Sequence, residues 1–567
     1  MKKTISCLIS ALLVIASVFG AFTVTAADES VSPLKEGTVD FGNGGNILSS
    51  YSSPIWWSES EEKPEGTKPA VTSDNDGKTV LGLNAVNERE IEKRVILPFK
   101  LEANKTYAYT INCKTADWGK VDFQLYSGAN NYNCDGINNT LKVLYSKTGD
   151  SMQNSFSYTD IIGEFKTTQS TVNDNNSYLG IRFITAHAEM DLYIASVTLI
   201  KIDDEGEINF NDPTDMVRGW SNGSDKPAIV EDGENKALKI AAQSNKENRI
   251  GLPIMFKPDT TYKIKMKYKV DTSNGGATYF YLYSGNPTTS IYCNYEDNTK
   301  RRMIMESYGS SISNTEYVTK EYNLTTTSDY VHDEYNKLCI FLQANSSQTF
   351  YIDSICVTEI RKEGKIEFDF KDQILSSNSY LSGKAAGTPA EVSTDNSDTV
   401  LKFLYENSQV NNAFYMKDVK LPFAIEKGRN YIFSIRYRVD KPANNGADYF
   451  RLMLNGDSIS TILNGTRADN TEYSVYTEKF TAADNGNPTI RWTAMGTEQT
   501  LYIDSVSIEI QKGDLNKDGE INSTDLGLLR KVLLNVSGLT YDATEADVNK
   551  DGEIDIRDLV ALKSSIS

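Results

Sequence analysis

Two stretches of the chain carry oxygen-bearing side chains at matching intervals. They read Asp514-x-Asn516-x-Asp518-Gly519-x-Ile521-Asn522-x-x-Asp525 and Asp547-x-Asn549-x-Asp551-Gly552-x-Ile554-Asp555-x-x-Asp558. Oxygen ligands at positions 1, 3, 5, 9 and 12, a glycine at position 6 and the main-chain carbonyl of position 7 suit a hard cation such as calcium. The sequence therefore predicts two calcium ions. Their ligands would be Asp514, Asn516, Asp518, Glu520, Asn522 and Asp525, then Asp547, Asn549, Asp551, Glu553, Asp555 and Asp558.

The duplication argues against an acidic surface tail as the explanation. Such a tail would not place Gly519, Ile521 and Leu526 in register with Gly552, Ile554 and Leu559. Position 12 of both loops is Asp, where many calcium sensors use the longer Glu. This shorter carboxylate favours a structural site over a switch.

An apolar pattern with helical spacing follows each loop. Its members are Leu526, Leu529 and Leu533 after the first loop, then Leu559, Leu562 and Ile566 after the second. Over residues 512–567 this repeated loop and helix resembles a type I dockerin. The resemblance implies that two calcium ions hold two antiparallel helices and that one helix face binds a cohesin domain of a scaffold protein.

The resemblance also implies partner contacts at loop positions 10 and 11 and about one helical turn further along. The matching residues are Ser523, Thr524, Arg530 and Lys531 in the first copy and Ile556 and Arg557 in the second. Ser523 and Thr524 could instead be ordinary first-turn helix residues. Some dockerins bind in two symmetric orientations; the difference between the two copies argues against this here but leaves both one and two orientations open.

Most of the remaining chain consists of a repeated unit. Each unit opens with an apolar-polar-Phe step: Val39-Asp40-Phe41, Ile208-Asn209-Phe210 and Ile366-Glu367-Phe368. Each closes with a shared phrase: Leu192-Tyr193-Ile194-Ala195-Ser196, Phe350-Tyr351-Ile352-Asp353-Ser354 and Leu501-Tyr502-Ile503-Asp504-Ser505. Between them lies a Leu-Pro step and then a Tyr that begins a strand: Leu97-Pro98 with Tyr107, Leu252-Pro253 with Tyr262, and Leu421-Pro422 with Tyr431. Three signals in the same order indicate triplication.

Period-two alternation inside the units predicts β-strands, most clearly over residues 262–270, where apolar residues alternate with lysines. Turns rich in Asn, Asp, Gly and Ser separate the strands. The predicted fold is mainly β, with three tandem antiparallel β-sandwich domains of jelly-roll type and one small all-α calcium-binding domain. The expected boundaries are 38–203, 206–361, 364–511 and 512–567.

Residues 38–511 are similar to the jelly-roll carbohydrate-binding modules of plant-polysaccharide hydrolases in their opening Phe step, central strands and closing phrase. The resemblance implies a plant or storage polysaccharide as ligand. It also implies a structural calcium ion at the Asp of the closing phrase, here Asp353 and Asp504 in the second and third units. The first unit has Ala195 at that position.

Sugar rings offer apolar faces, so aromatic side chains are the candidate ligand platforms. The candidates are Trp56, Trp57, Trp220 and Tyr380 in the loop after the first strand, and Tyr279, Tyr281 and Tyr283 on one face of a strand. The alternative is aromatic packing under long loops. Trp492, aligned with Phe183 and Phe341, is expected in a core.

The first 26 residues read as a secretory signal peptide, with Lys2 and Lys3 before an apolar run and a Val-x-Ala ending. No second long apolar segment follows, so no membrane insertion is expected. The net charge of −19 opposes binding to nucleic acid or anionic membranes. The mature chain's five cysteines have no metal-type spacing and are expected as buried free thiols. We therefore expect a secreted, extracellular protein that lies at the cell surface or in a released multi-enzyme complex.

The prediction is a non-catalytic, carbohydrate-binding component of a cellulosome or a starch-directed equivalent, an amylosome. One alternative is a polysaccharide hydrolase or lyase built on a sandwich, which would need two carboxylates across a cleft. No nucleophile elbow, phosphate loop or His-Glu zinc motif is evident in the sequence. Another alternative is a spacer or adhesion subunit that binds no sugar.

Overall fold

The computed structural model describes residues 34–54, 68–84, 91–115, 120–129, 142–147, 157–186, 191–273, 276–288, 302–329, 331–332, 335–381, 384–385, 387–396, 398–404, 414–442, 449–455, 457–462, 469–495 and 499–566. The chain divides into two compact units, Met1–Lys201 and Ile202–Ser567. The predicted signal peptide, Trp56 and Trp57 lie outside the described residues.

The first unit contains one six-stranded and one five-stranded antiparallel sheet among its described residues. Its strands are β1 (Gly37–Asp40), β2 (Ser49–Pro54), β3 (Ala70–Ser73), β4 (Thr79–Asn84), β5 (Ile91–Lys100), β6 (Thr106–Thr115), β7 (Lys120–Ala129), β8 (Lys142–Lys147), β9 (Thr159–Lys166), β10 (Asn176–Ala186) and β11 (Asp191–Ile202). The sheet orders are β3-β4-β11-β6-β9, with β1 also on β11, and β2-β5-β10-β7-β8. We call this pair of sheets the first sandwich.

The second unit begins with a pair of sheets in the same order. Its strands are β12 (Gly206–Ile208), β13 (Arg218–Ser221), β14 (Ala228–Asp232), β15 (Asn235–Ala242), β16 (Lys246–Met255), β17 (Thr261–Val270), β18 (Thr278–Gly285), β19 (Arg302–Ser310), β20 (Val318–Thr325), β21 (Lys337–Ala344) and β22 (Gln348–Ile360). The sheets run β14-β15-β22-β17-β20, with β12 on β22, and β13-β16-β21-β18-β19. This pair is the second sandwich.

A third pair of sheets follows in the second unit. Its strands are β23 (Gly364–Ile366), β24 (Ser376–Leu381), β25 (Lys384–Ala385), β26 (Glu391–Asp395), β27 (Asp398–Phe403), β28 (Phe414–Lys420), β29 (Asn430–Val439), β30 (Tyr449–Leu454), β31 (Asp457–Ile462), β32 (Ser474–Thr481), β33 (Thr489–Met495) and β34 (Leu501–Ile510). Apart from the added strand β25, the orders match those of the first two sandwiches: β26-β27-β34-β29-β32, with β23 on β34, and β25-β24-β28-β33-β30-β31. This pair is the third sandwich.

Strand β17 shows how the alternating sequence produces the sandwich. Its Tyr, Ile, Met, Tyr and Val side chains are all buried, and they join one core with residues from both sheets of the second sandwich. Its four lysines instead carry ion pairs with acidic partners. Because alternate residues of a strand point to opposite faces, one sequence pattern supplies a core face and a charged face. The predicted alternation is confirmed.

The repeated Tyr after each Leu-Pro step has a hydrogen-bonding role. Tyr107, Tyr262 and Tyr431 are buried. Each hydroxyl accepts a hydrogen bond from the main-chain N–H five residues earlier, at 2.9 Å in all three cases. A buried polar group left without a partner would be costly, so the hydroxyl and the amide satisfy each other.

A second recurring arrangement joins a carboxylate, a cation and a tyrosine hydroxyl, and we call it the cation clip. The three sets are Asp74, Lys114 and Tyr158; Asp232, Lys269 and Tyr317; and Asp395, Arg438 and Tyr473. In the first sandwich, Lys114 Nζ lies 2.7 Å from Asp74 Oδ2, and the Tyr158 hydroxyl donates to the same oxygen at 2.7 Å. The clip ties the turn between β3 and β4 to strand β6 and to the entry of β9. Sequence analysis did not predict it.

Three helices follow the third sandwich in the described residues: α1 (Ser523–Leu533), α2 (Ala543–Ala546) and α3 (Ile556–Ser565). Leu526 and Leu529 of α1 and Leu562 of α3 belong to one buried cluster, which also contains Leu515 and Ala546. The predicted helical spacing is therefore confirmed as a packed face. No described helix has the length and apolar character needed to cross a membrane.

Three of the five cysteines of the predicted mature chain fall within the described residues. Cys113, Cys339 and Cys356 are buried and form no disulfide bond. For these three, the expectation of buried free thiols is confirmed. Cys134 and Cys293 lie outside the described residues.

Candidate calcium loops and an aromatic sheet face

The first predicted loop turns tightly around its position-1 carboxylate. Asp514 accepts hydrogen bonds from the N–H groups of Asp518 at 3.1 Å and Gly519 at 2.9 Å. The turn needs left-handed backbone at Lys517, with φ of 58°, and at Gly519, with φ of 88°. A residue with a Cβ is strained at the second angle, which explains why position 6 of the loop is glycine.

The position-12 carboxylate of this loop joins the loop to its helix. Asp525 is fully buried; its Oδ1 accepts from Leu515 N at 2.9 Å, and its Oδ2 accepts from Asn522 N at 3.0 Å. Asn522 in turn caps α1 by accepting from Thr524 N at 2.7 Å. Positions 9 and 12 thus form a capping box at the helix start.

The second loop repeats this geometry. Asp547 accepts from Asp551 N at 3.1 Å, and the buried Asp558 accepts from Asn549 N at 3.0 Å and Asp555 N at 2.7 Å. Lys550 and Gly552 have φ of 61° and 89°. Asp555 and Asp558 form the capping box of α3. Both twelve-residue segments therefore have the same backbone course.

The residues of both loops fit a hard cation. Burial raises the pKa of Asp514, and the charges of Asp525 and Asp518 add to that rise. A buried carboxylate surrounded by other carboxylates is unfavourable without a positive ion. No three His, Cys, Asp or Glu side chains of the described residues converge into a metal cluster by themselves. The predicted ligand sets also include Asn side chains and the main-chain carbonyls of Glu520 and Glu553.

The six residues predicted to contact a cohesin all lie on the surface. Ser523 and Thr524 are exposed in the first turn of α1, and Arg530 and Lys531 are exposed in its last turns. Ile556, at the start of α3, leaves 63% of its surface exposed although it is apolar, and Arg557 beside it is also exposed. A surface isoleucine at this position has no counterpart in α1, where Ser523 occupies the matching place.

Residues 512–566 contact the third sandwich, which sequence analysis did not predict. Lys550 Nζ lies 2.5 Å from Glu363 Oε2, and Arg429 Nη2 lies 3.7 Å from Glu545 Oε1. Thr481 donates to the carbonyl of Gly519 at 3.4 Å. A polar cavity of about 250 Å³ lies between the two parts, lined by Glu426, Lys427, Gly428, Arg429, Asn430, Gln511, Asp514, Lys517, Asp542 and Glu545. Such contacts depend on tertiary packing and leave no local signature in the sequence.

In the second sandwich, the predicted aromatic residues lie on one face of one sheet. Strand registers place Trp220 opposite Arg249, Arg249 opposite Phe341, and Phe341 opposite Tyr281. The guanidinium of Arg249 lies 5.6 Å from the Trp220 ring and 5.8 Å from the Phe341 ring. We call these four residues the cross-strand row. Arg249 and Phe341 were not among the predicted site residues.

The predicted tyrosines of β18 differ in exposure. Tyr281 and Tyr283 are only 4% and 1% exposed, and they form a buried cluster with Phe341 and Cys339. Tyr279 packs at the edge of this cluster and remains half-buried, as does Trp220. Trp220 and Tyr279 are therefore the two predicted platform residues of this face that a ligand could touch directly.

The third sandwich has a different row on the corresponding sheet face, displaced by two residues along the strands from the position of the cross-strand row. Tyr380 is opposite Met416, Met416 is opposite Thr493, and Thr493 is opposite Tyr449. Tyr380 is half-buried. The two ends of this row are tyrosines, whereas its middle lacks an aromatic residue.

One predicted alignment is wrong by a single residue. Trp492 lies in the third core as expected, opposite Phe450. The residue at that position in the second sandwich is Leu342, opposite Phe280, and not Phe341. Because a shift of one residue moves a side chain to the other face of a strand, Phe341 belongs to the aromatic face and not to the core.

The positions suggested for calcium in the sandwiches hold ion pairs. Asp353 lies 3.2 Å from Lys267 Nζ, and Asp504 lies 2.8 Å from Arg436 Nη1. Calcium prefers six to eight oxygen ligands, and a cationic side chain at this distance competes with it. In the arrangement described, Lys267 and Arg436 neutralise these two carboxylates, and a calcium ion would have to displace them.

Comparison with solved structures finds similar chains at low identity. The CBM22-1-CBM22-2 tandem domain of Xyn10C from Paenibacillus barcinonensis is 11% identical, with a TM-score of 0.20, covering 58% of this chain and 99% of that chain. A Family 16 Carbohydrate Binding Module-2 is 18% identical, with a TM-score of 0.17, covering 23% and 84%. A cyclase from Fischerella sp. is 12% identical, with a TM-score of 0.19, covering 30% and 91%. TM-scores this low identify no shared function.

No curated protein matches the chain. One family model does match, and it covers the two loops and their helices. Residues 512–567 match the dockerin type I domain.

Proposed function

We propose that this protein is a secreted, non-catalytic carbohydrate-binding protein that docks through residues 512–567 onto a cohesin domain of an extracellular polysaccharide-degrading complex. The complex would be of the cellulosome or amylosome type. The observation that carries the proposal is the family match over residues 512–567 together with the duplicated loop geometry. The proposed domains are a signal peptide at 1–26, sandwiches at 38–203, 206–361 and 364–511, and the docking domain.

Two calcium ions are proposed for the docking domain, one in each loop. The ions would neutralise the buried carboxylates of Asp525 and Asp558 and fix both helices, because the position-12 residue of each loop also starts its helix. Chelating calcium from the full chain should raise amide exchange throughout α1 and α3, read by mass spectrometry. If amide exchange in α1 and α3 stays unchanged after chelation, the calcium assignment is wrong.

Docking is tested by calorimetry against a panel of purified cohesin domains, with calcium and with chelator. Calcium-dependent binding to at least one cohesin is expected. Ser523, Thr524, Arg530, Lys531, Ile556 and Arg557 are the proposed contact residues, and all six are exposed. Thr524→Glu and Ile556→Glu variants then show which copy binds. Equal affinity for both variants and the parent would reject these positions as contacts.

Carbohydrate binding is proposed for the aromatic face of the second sandwich. A half-buried Trp220 beside the Arg249 guanidinium offers a flat apolar surface with adjacent hydrogen-bond donors, which is what a sugar ring requires. Tyr279 extends this surface, and Tyr380 offers a smaller one on the third sandwich. The ligand would be a plant or storage polysaccharide.

One experiment separates this function from its alternatives. The full chain is incubated with insoluble starch, cellulose, xylan and mannan, and bound protein and released sugar are measured in the same tubes. Binding without released sugar supports the proposal and identifies the ligand class. Released sugar would indicate a polysaccharide hydrolase or lyase, and neither binding nor release would favour a spacer or adhesion subunit.

A further inference from the structure

The two loops differ in how their carboxylates are neutralised. In the second loop, Arg557 Nη1 lies 2.9 Å from Asp551, and its Nη2 lies 2.7 Å from Asp555. Lys512 Nζ lies 3.3 Å from Asp547. The carboxylates at loop positions 1, 5 and 9 therefore each have a cationic side chain as partner.

The first loop lacks these partners. Thr524 stands where the second loop has Arg557, and position 9 is the neutral Asn522. Lys517, the lysine inside this loop, lies 2.8 Å from Asp542, outside the proposed ligand set. Among the described residues, no lysine or arginine forms an ion pair with the carboxylates of Asp514, Asp518 or Asp525.

We propose that Arg557 and Lys512 are internal counter-ions of the second loop, and that this loop consequently binds calcium more weakly than the first. The inference rests on the proposed calcium sites. To bind in the second loop, a calcium ion must displace the guanidinium and the ammonium from the carboxylate oxygens. In the first loop, the carboxylates of Asp514, Asp518 and Asp525 have no such ion pair to break within the described residues. The first loop is then the tight site, and the second is the site that empties first as calcium falls.

The exposure of the Arg557 side chain sets the expected difference in calcium affinity between the two loops. The Arg557 side chain is 56% exposed, so water and salt screen its ion pairs, and each pair has a small effect. Summed over Asp551 and Asp555, the competition should amount to about threefold or more in affinity at low ionic strength. Added salt weakens these ion pairs and so should weaken the competition.

The test is a calcium titration of the full chain by isothermal calorimetry at low salt. Two binding steps of unequal affinity are expected. Arg557→Thr, which copies the first loop, should tighten the weaker step by about threefold or more and leave the tighter step unchanged. The reciprocal variant, Thr524→Arg, should weaken the tighter step. Both side chains are exposed in the first turn of a helix, so neither substitution removes core packing.

Lys563→Thr provides the matched control. Lys563 is exposed on the same helix as Arg557 and has the same charge, and it forms no ion pair within the described residues. Its removal should leave both steps unchanged, which separates local competition from a change in net charge. If Lys563→Thr tightened the weaker step as much as Arg557→Thr, the counter-ion assignment would be wrong.

Single-site variants assign the steps to the loops. Asp547→Ala should abolish the weaker step and Asp514→Ala the tighter one. Loss of the tighter step in Asp547→Ala would overturn the inference, as would two equal steps that Arg557→Thr does not alter. A chain that binds no calcium at all would overturn the proposed function itself, so the two failures are distinguishable.

Discussion

Phe341 lies directly opposite Tyr281 on the neighbouring strand, and the two rings stack with centroids 4.6 Å apart and planes 15° from parallel. Both side chains are buried on the outward face of their sheet, away from the main core. The Arg249 guanidinium lies 5.8 Å from the Phe341 ring of this stack and 5.6 Å from the Trp220 ring. The half-buried Trp220 is thus connected through Arg249 to a buried aromatic stack.

Trp220→Ala should weaken polysaccharide binding by roughly tenfold, because it removes the accessible ring of the cross-strand row. The unfolding temperature should change little, since Trp220 lies at the end of the row and outside the cores. Depletion assays on the best-bound polysaccharide measure the affinity, and calorimetry measures stability. Tyr351→Ala, a half-buried tyrosine on the other sheet, is the control. An equal loss of binding in both variants would contradict a specific role for Trp220.

Lys114→Met should destabilise the first unit by about 3 kcal/mol. The substitution leaves the Asp74 carboxylate buried without its cation, and breaking a buried pair costs about this much. The side chains are only 7% and 0% exposed, so water cannot replace the lysine. Hydrogen exchange across β3, β4 and β6 reports the loss of stability. Lys114→Arg should preserve most of it, because Arg438 fills this position in the third sandwich; equal destabilisation by both variants would argue against the ion pair.

The cation clips should make stability fall in acid. Hydrogen bonds from Lys269 and Tyr317 hold the pKa of Asp232 below its usual range, and those from Arg438 and Tyr473 do the same for Asp395. A carboxyl whose folded pKa lies below its unfolded value of about 3.9 stabilises the fold above that pH. This stabilisation is lost as the pH falls below about 4 towards the folded pKa values.

Thermal unfolding between pH 7 and pH 3 checks this pH dependence. Asp232→Asn should unfold at a lower temperature than the parent at pH 7 and should lose less stability on acidification. A variant as acid-sensitive as the parent would mean that other carboxyl groups cause the loss.

Lys550→Glu should loosen the docking domain from the third sandwich. It replaces the ion pair with Glu363 by a repulsion, and the partly exposed pair contributes up to about 1 kcal/mol. Amide exchange should rise where the two parts meet, around residues 361–364 and 512–522. Adding Glu363→Lys restores opposite charges and should return exchange to the parental rate. A double variant that behaves like the single one would show that the pair does not hold the two parts.

The sequence alone determined the features that depend on short spacings. Both twelve-residue loops and the helices that follow them form from contacts between residues close in sequence, so they could be predicted without knowledge of distant neighbours. The alternating residues of β17 likewise specified a buried and a charged face. The loops, the helices and strand β17 could be predicted because helix and strand periodicity depend on residues only a few positions apart.

Tertiary structure decided how distant strands align. The cross-strand row draws Trp220, Arg249, Phe341 and Tyr281 from four strands, and only strand register brings them together. A one-residue error in alignment matched Phe341, which lies on the outward sheet face, with the core residue Trp492. The cation clips and the contact between Lys550 and Glu363 join residues far apart in the chain, and long-range ion pairs follow no sequence period. Folding alone brings such groups within the few ångströms at which their charges act.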